Sequence, residues 1–191
     1  DIPSGLCADD GSCKVAIRAD KTITFTGYKP AQLQFPAAHH CGETVVADIG
    51  IPTQVTDAYG LGETIGQEFV CKNLPKRARN AHKGSSGKIL VVGGSRGMAG
   101  AVCLSARAAL RSGAGLVTVG VPAGINDIVQ QKITEAMTLL LPEDEQGILR
   151  SDALQTVCKA AQNCDTIIFG PGIGRSEAVI ELLRGILQLK K

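Results

Sequence analysis

The chain contains no tryptophan, and aromatic residues of all kinds make up only 3% of it. A core assembled without large rings has to be aliphatic and small. Charge of one sign is not in excess either. Twenty Lys and Arg stand against eighteen Asp and Glu, and a net charge of +2 gives no support for nucleic-acid binding. No apolar run approaches the roughly 20 residues that a membrane helix needs, so no membrane span is expected. Long polar tracts are also missing, and with 44% hydrophobic residues the composition argues for a buried core rather than disorder. Cysteine is not scarce, but it is scattered. Cys7, Cys13, Cys41, Cys71, Cys103, Cys158 and Cys164 form no C-x-x-C pair and have no histidine at metal-ligand spacing. Reduced, mostly buried thiols in a cytoplasmic protein are the reading that fits this pattern.

What is present is a run of strand and glycine signals, in a length of 191 residues that suits one or two domains. Ile89-Leu90-Val91-Val92 is an aliphatic run of the kind buried on both faces in a parallel sheet. It stops at Gly93-Gly94, and Gly97 and Gly100 follow before an Ala-, Leu- and Arg-rich segment that should be helical. Strand, glycine turn and helix start form a layout in which free N–H groups face an anion. The spacing itself is not specific. Gly94-x-x-Gly97-x-x-Gly100 lacks the first interval of the dinucleotide fingerprint, and Gly84-x-x-Gly87-Lys88 is too short for a P-loop. A tight connection with no ligand therefore stays open beside the anion-binding reading. Asp165-Thr166-Ile167-Ile168-Phe169 repeats the pattern and runs into Gly170-Pro171-Gly172-Ile173-Gly174. Ligands of open α/β sheets sit beyond the carboxyl ends of strands, so the two glycine turns are expected at one sheet edge, lining one crevice.

The layout predicts strands at 88–92, 116–121, 136–141 and 165–169, alternating with helices at 101–112, 123–132, 152–162 and 176–189. Such alternation implies βαβ units and a parallel sheet. Three short strands are expected in residues 1–52: one ending at Asp1-Ile2, one near Thr22–Phe25 and one near Thr44–Asp48, with a turn at Ala8–Gly11. Residues 53–81 read as a linker with a short helix. The basic cluster from Lys76 to Lys83 reads as solvated, and so does the acidic loop Glu143–Gly147.

Residues 82–101 (HKGSSGKILVVGGSRGMAGA), 112–122 (SGAGLVTVGVP) and 169–174 (FGPGIG) resemble the opening half of the ADP- or ATP-dependent NAD(P)H-hydrate dehydratases, which have a ribokinase-like fold. Residues 1–6 (DIPSGL), Ala19–Phe25, Lys29-Pro30 and Val46–Pro52 resemble the closing third of the NAD(P)H-hydrate epimerase domain. That order is the layout of bifunctional nicotinamide nucleotide repair enzymes. The resemblance implies an α/β architecture in three parts: 1–52 from a Rossmann-like epimerase domain, 53–81 joining, and 82–191 as the first half of a ribokinase-like domain with a mainly parallel sheet. It implies a substrate, hydrated NADH or NADPH, whose R and S forms are interconverted by the epimerase. The dehydratase then phosphorylates the S form with ADP or ATP and Mg2+, and loss of phosphate restores the dinucleotide.

The same resemblance assigns residues. Asp1 matches a substrate contact of the epimerase, and Ser4 matches a ligand of its K+ ion. Ala101 matches a small residue against the S hydrate, and the Gly172 and Gly174 turn matches a second substrate contact. A homo-oligomeric parent is implied as well. The dehydratase family's Pro-His-Pro-Gly-Glu segment, its phosphate loop and its Gly-Gly-x-Gly-Asp segment have no counterpart here. The expectation is therefore a piece of a longer protein that holds no catalytic residue of the dehydratase and is inactive alone. A ribokinase-like small-molecule kinase and a non-catalytic nucleotide-binding module are the other two readings. His39, His40 and His82 are expected to play surface or capping roles.

Overall fold

A computed structural model describes residues 1–60 and 62–189; Leu61, in the expected joining segment, and Lys190 and Lys191, after the last expected helix, lie outside the described residues. The chain divides into two compact units, Asp1–Leu74 and Pro75–Lys191.

In the first unit β1 (Lys21–Phe25) pairs in parallel with β2 (Glu43–Ala47), with Lys21 opposite Glu43 and Phe25 opposite Ala47. A short helix, α1 (Pro30–Leu33), lies between them, and Pro30 takes its first turn, where no N–H is needed. The core here is small and aliphatic: Leu6, Ala31, Ala37 and Cys41 pack together. The inward positions of β1 are Thr22 and Thr24, both buried, and Thr22 Oγ1 donates to Cys41 O at 2.6 Å. The strand expected at Asp1-Ile2 does not form. Asp1 meets β1 through its carboxylate instead of a backbone ladder, and its carbonyl accepts from the Gln32 side chain. Beyond β2 the expected single helix is two, α2 (Thr53–Asp57) and α3 (Gln67–Asn73), neither with a buried residue.

The second unit is built as the aliphatic runs predict. Its strands are β3 (Lys88–Val92), β4 (Leu116–Pro122), β5 (Met137–Leu141) and β6 (Thr166–Phe169), ordered β5-β4-β3-β6 and parallel throughout. Helices α4 (Ala99–Arg111), α5 (Asn126–Lys132), α6 (Ala153–Ala161) and α7 (Glu177–Leu187) connect or follow them. The segment expected as one helix from 123 begins as a turn of 3-10 helix, Ala123–Ile125. Side chains of β3 alternate between two cores. Val91 packs with Val102, Cys103, Ala106 and Val119, while Leu90 and Val92 pack with Leu141, Leu149, Val157 and Leu182. Both faces are thus covered, which is why the strand reads as an unbroken apolar run. Leu90, Val91 and Val92 are fully buried, each stabilising the fold by about 1.5–3 kcal/mol through removal from water. No helix among the described residues is long and apolar enough to cross a membrane.

Two surface expectations need correction. Among the thiols, Cys41 and Cys103 are buried, but Cys7, Cys13 and Cys71 are exposed, so the set is not mostly buried. Cys71 is exposed because it sits on α3, which buries nothing. The acidic loop is also more than a solvated stretch. Glu143 Oε2 accepts from Gly124 N at 3.1 Å, and Asp144 Oδ1 accepts from Gln146 N and Ile148 N. Those carboxylates stand in for backbone partners that the tight turn cannot supply.

Candidate functional site

At the carboxyl edge of the second sheet, β3 ends at Val92 and β6 ends beside it at Phe169, its partner in the register. The two glycine turns that follow are joined directly. Gly94 N donates to Pro171 O at 2.8 Å, and Ser95 Oγ donates to Gly172 O at 2.9 Å. Gly170 N donates back to Val92 O at 3.0 Å, continuing the ladder into the turn. Gly172 has φ +65°, and a Cβ placed on it would lie 2.6 Å from Met98 O and 3.0 Å from the Ala101 Cβ. Only the absence of a side chain lets the second turn lie this close to the start of α4.

That helix start is left open. Met98 precedes α4 and offers no side-chain cap, and the first turn carries no acidic residue. The first N–H groups of a helix have no partner within it, and together with the helix dipole they favour an anion. Arg96 borders the turn; its backbone N donates to Gly147 O at 3.1 Å and its guanidinium to Glu145 O at 2.9 Å. A cavity of about 580 Å³ lies at the opposite edge, among Lys88, Ala108, Gly113 and Asp165, and touches neither glycine turn. Its lining mixes the apolar Ile89, Ala108 and Ile168 with the polar Lys88, Ser105 and Asp165.

The expected residues sort as follows. Ala101, half-buried in the first turn of α4, and Gly172 meet. Gly174 does not join them; with φ +83° it faces Ile148, and a Cβ there would come within 3.3 Å of that side chain. Ser95 was not singled out by spacing, yet it is 2% exposed and ties the two turns. A hydroxyl directly after a glycine pair is the one signal that could have found it.

Asp1 and Ser4 lie in the first unit. Asp1 Oδ1 accepts from Phe25 N at 2.8 Å, from Thr24 Oγ1 at 2.9 Å and from Lys29 Nζ at 2.7 Å. Partial burial pushes the Lys29 ammonium down from the ordinary lysine range. Ser4 is exposed in a turn, where its carbonyl accepts from Ile17 N at 3.0 Å and the Pro3 carbonyl from Leu6 N at 3.2 Å. Lys29 and Gln32 are the residues of this unit that the motifs did not assign. Of the histidines, His82 does cap: its Nδ1 accepts from Gly84 N at 3.1 Å.

The NAD(P)H-hydrate dehydratase family profile matches residues 89–191. A bifunctional NAD(P)H-hydrate repair enzyme of Moorella thermoacetica is 41% identical over 189 residues, covering 98% of this chain and 36% of that protein. Its counterpart in Methanothermobacter thermautotrophicus is 35% identical over 177 residues, covering 92% of this chain and 32% of that protein. The chain thus spans about a third of the length of the curated relatives it matches. In fold it is similar to a ribokinase-like superfamily protein from Enterococcus faecalis V583, with a TM-score of 0.54 at 23% identity over 64% of this chain and 40% of that one. The parallel sheet with two joined glycine turns and the profile that spans it agree: the chain belongs to the NAD(P)H-hydrate dehydratase family.

Proposed function

We propose that this chain is a central portion of a bifunctional nicotinamide nucleotide repair enzyme. Residues 1–52 belong to the half that interconverts the R and S hydrates of NADH and NADPH. Residues 53–81 join it to 82–191, part of the half that dehydrates the S form with ADP or ATP. The observation that carries this reading is the joining of the two glycine turns, Gly94 N to Pro171 O and Ser95 Oγ to Gly172 O, beside an uncapped helix start. A nicotinamide ring is flat and its dinucleotide carries a pyrophosphate. The close approach allowed by Ala101 and Gly172 suits the ring, and free helix N–H groups suit an anionic group.

The chain supplies binding surface here rather than the base of the phosphoryl transfer. Among the described residues no three His, Cys, Asp or Glu side chains converge as a metal cage. This fits Mg2+, which is commonly carried on nucleotide phosphates with few protein ligands. For K+ the exposed Ser4 hydroxyl is a hard oxygen donor, and the Pro3 and Ser4 carbonyls each keep a second lone pair. A reducing, cytoplasmic setting is supported by the exposed thiols of Cys7, Cys13 and Cys71.

The test uses the longest natural polypeptide that carries this chain, given purified R and S hydrates of NADH. The S hydrate should return to NADH only with ADP or ATP and Mg2+, and the R hydrate only by way of the S form. Phosphorylation of a small alcohol or sugar, with both hydrates left untouched, would sink the proposal in favour of a ribokinase-like kinase.

A further inference from the structure

The first unit holds a set of polar contacts that the pairing of β1 with β2 does not require. Three donors converge on one oxygen of Asp1: Lys29 Nζ at 2.7 Å, Phe25 N at 2.8 Å and Thr24 Oγ1 at 2.9 Å, all on Oδ1. Among the described residues no hydrogen bond reaches Oδ2, and the Asp1 side chain is 42% exposed. One oxygen is saturated and the other is accessible.

The partner that produces this asymmetry is itself held firmly. Lys29 Nζ has three protons and faces four acceptors: Asp1 Oδ1, Thr24 Oγ1 at 2.8 Å, Phe25 O at 3.0 Å and Gly27 O at 3.2 Å. Its position is fixed from below by Gln32, a polar side chain only 6% exposed. Gln32 Oε1 accepts from Lys29 N at 2.9 Å, and Gln32 Nε2 donates to Asp1 O at 2.7 Å. One buried amide therefore ties the backbones of both members of the ion pair. A surface ion pair contributes only about 0–1 kcal/mol, and stability alone does not account for a buried amide and a saturated ammonium arranged around one carboxylate oxygen. Orientation does.

We infer that Lys29 and Gln32 are positioning residues for Asp1, anchoring its carboxylate through Oδ1 so that Oδ2 accepts a hydrogen bond from a hydroxyl of the bound nucleotide. The inference rests on the epimerase reading of residues 1–52. Neither residue touches the substrate; each acts through Asp1. Loss of the ammonium frees the carboxylate to rotate, which harms the rate more than it harms binding, because a small misplacement of a reacting group weakens the transition state most.

The experiment is R-to-S epimerisation by the longest natural polypeptide carrying this chain, wild type beside Lys29→Ala, Lys29→Arg and Gln32→Met. Folding of each is checked by circular dichroism. Lys29→Ala should lower kcat about 100-fold with KM nearly unchanged. Ethylammonium added to that variant should restore part of the rate, because a free cation can occupy the space the side chain left. Lys29→Arg keeps the charge but presents a planar fork, and should recover only part of the activity. Gln32→Met should lower kcat about tenfold. Wild-type kcat in Lys29→Ala overturns the inference, and so does a loss that neither ethylammonium nor arginine relieves in a folded protein. A wild type without any epimerisation overturns the reading of residues 1–52 and the inference with it, whereas an active wild type with an equally active Lys29→Ala overturns the inference alone.

Discussion

Gly172 and Gly97 both have positive φ, +65° and +84°, but their surroundings differ. A Cβ on Gly97 meets nothing within 4 Å, while one on Gly172 meets Met98 O at 2.6 Å and the Ala101 Cβ at 3.0 Å. Gly97→Ala should therefore cost only the backbone penalty, about 1–2 kcal/mol. Gly172→Ala should cost that and the contact as well, about 2–4 kcal/mol together. Urea unfolding of the two variants measures the difference, and equal costs would mean that the turns are not packed together. Residues of this kind were legible from the sequence to an unequal degree. Gly172 and Ala101 are marked by the motif resemblance, not by spacing alone. Ser95 and Gln32 do not stand out, since a serine after glycine and a lone glutamine have common surface uses, and Lys29 is part of a motif without a role of its own. Only their burial and partners set them apart.

Among the helices, α4 and α7 start in opposite ways. Ser176 caps α7 by accepting from Val179 N at 3.3 Å, whereas Met98 leaves α4 uncapped and its first turn free of acid. A conventional cap on α4 would raise stability, so the open end costs the fold something and leaves donors for a ligand. Met98→Asp should stabilise the protein by about 0.5–1 kcal/mol in urea unfolding. The same change should weaken binding of the phosphate-bearing ligand in calorimetric titration, because the new carboxylate competes for the same N–H groups. Tighter or unchanged ligand binding would contradict an anion site at this helix. The elements themselves were the most readable level. Ile89–Val92 forms a strand because an unbroken aliphatic run needs cover on both sides. Thr166–Phe169 pairs beside it at the end of the strand order and is only half-buried rather than buried as expected. Helix α4 follows from its Ala and Leu content. The failures share a cause. A strand at Asp1-Ile2 and a single short helix within 53–81 rest on local pattern, yet strands form only where a neighbour pairs with them, and α2 and α3 are short helices with no buried face to betray a period.

The whole molecule is two units with different bases for their assignment. The second unit's fold follows from periodicity, and its family from the match over residues 89–191. The first unit's core among the described residues, Leu6, Ala31, Ala37 and Cys41, is too slight to leave a periodic signature, so its reading rests on the motif resemblance and on relatives that match 98% of the chain. The central proposal is that the carboxyl edge carrying Ala101 and Gly172 receives the hydrated nicotinamide, while Asp1 serves the epimerisation. The most direct measurement is Ala101→Leu in the longest natural polypeptide, with ATP-dependent recovery of NADH and R-to-S epimerisation assayed side by side. A leucine there adds bulk where Gly172 already lies against Ala101, so recovery of NADH should fall by at least about 100-fold while epimerisation stays at the wild-type rate. Recovery at the wild-type rate, or loss of epimerisation with recovery intact, would contradict the account.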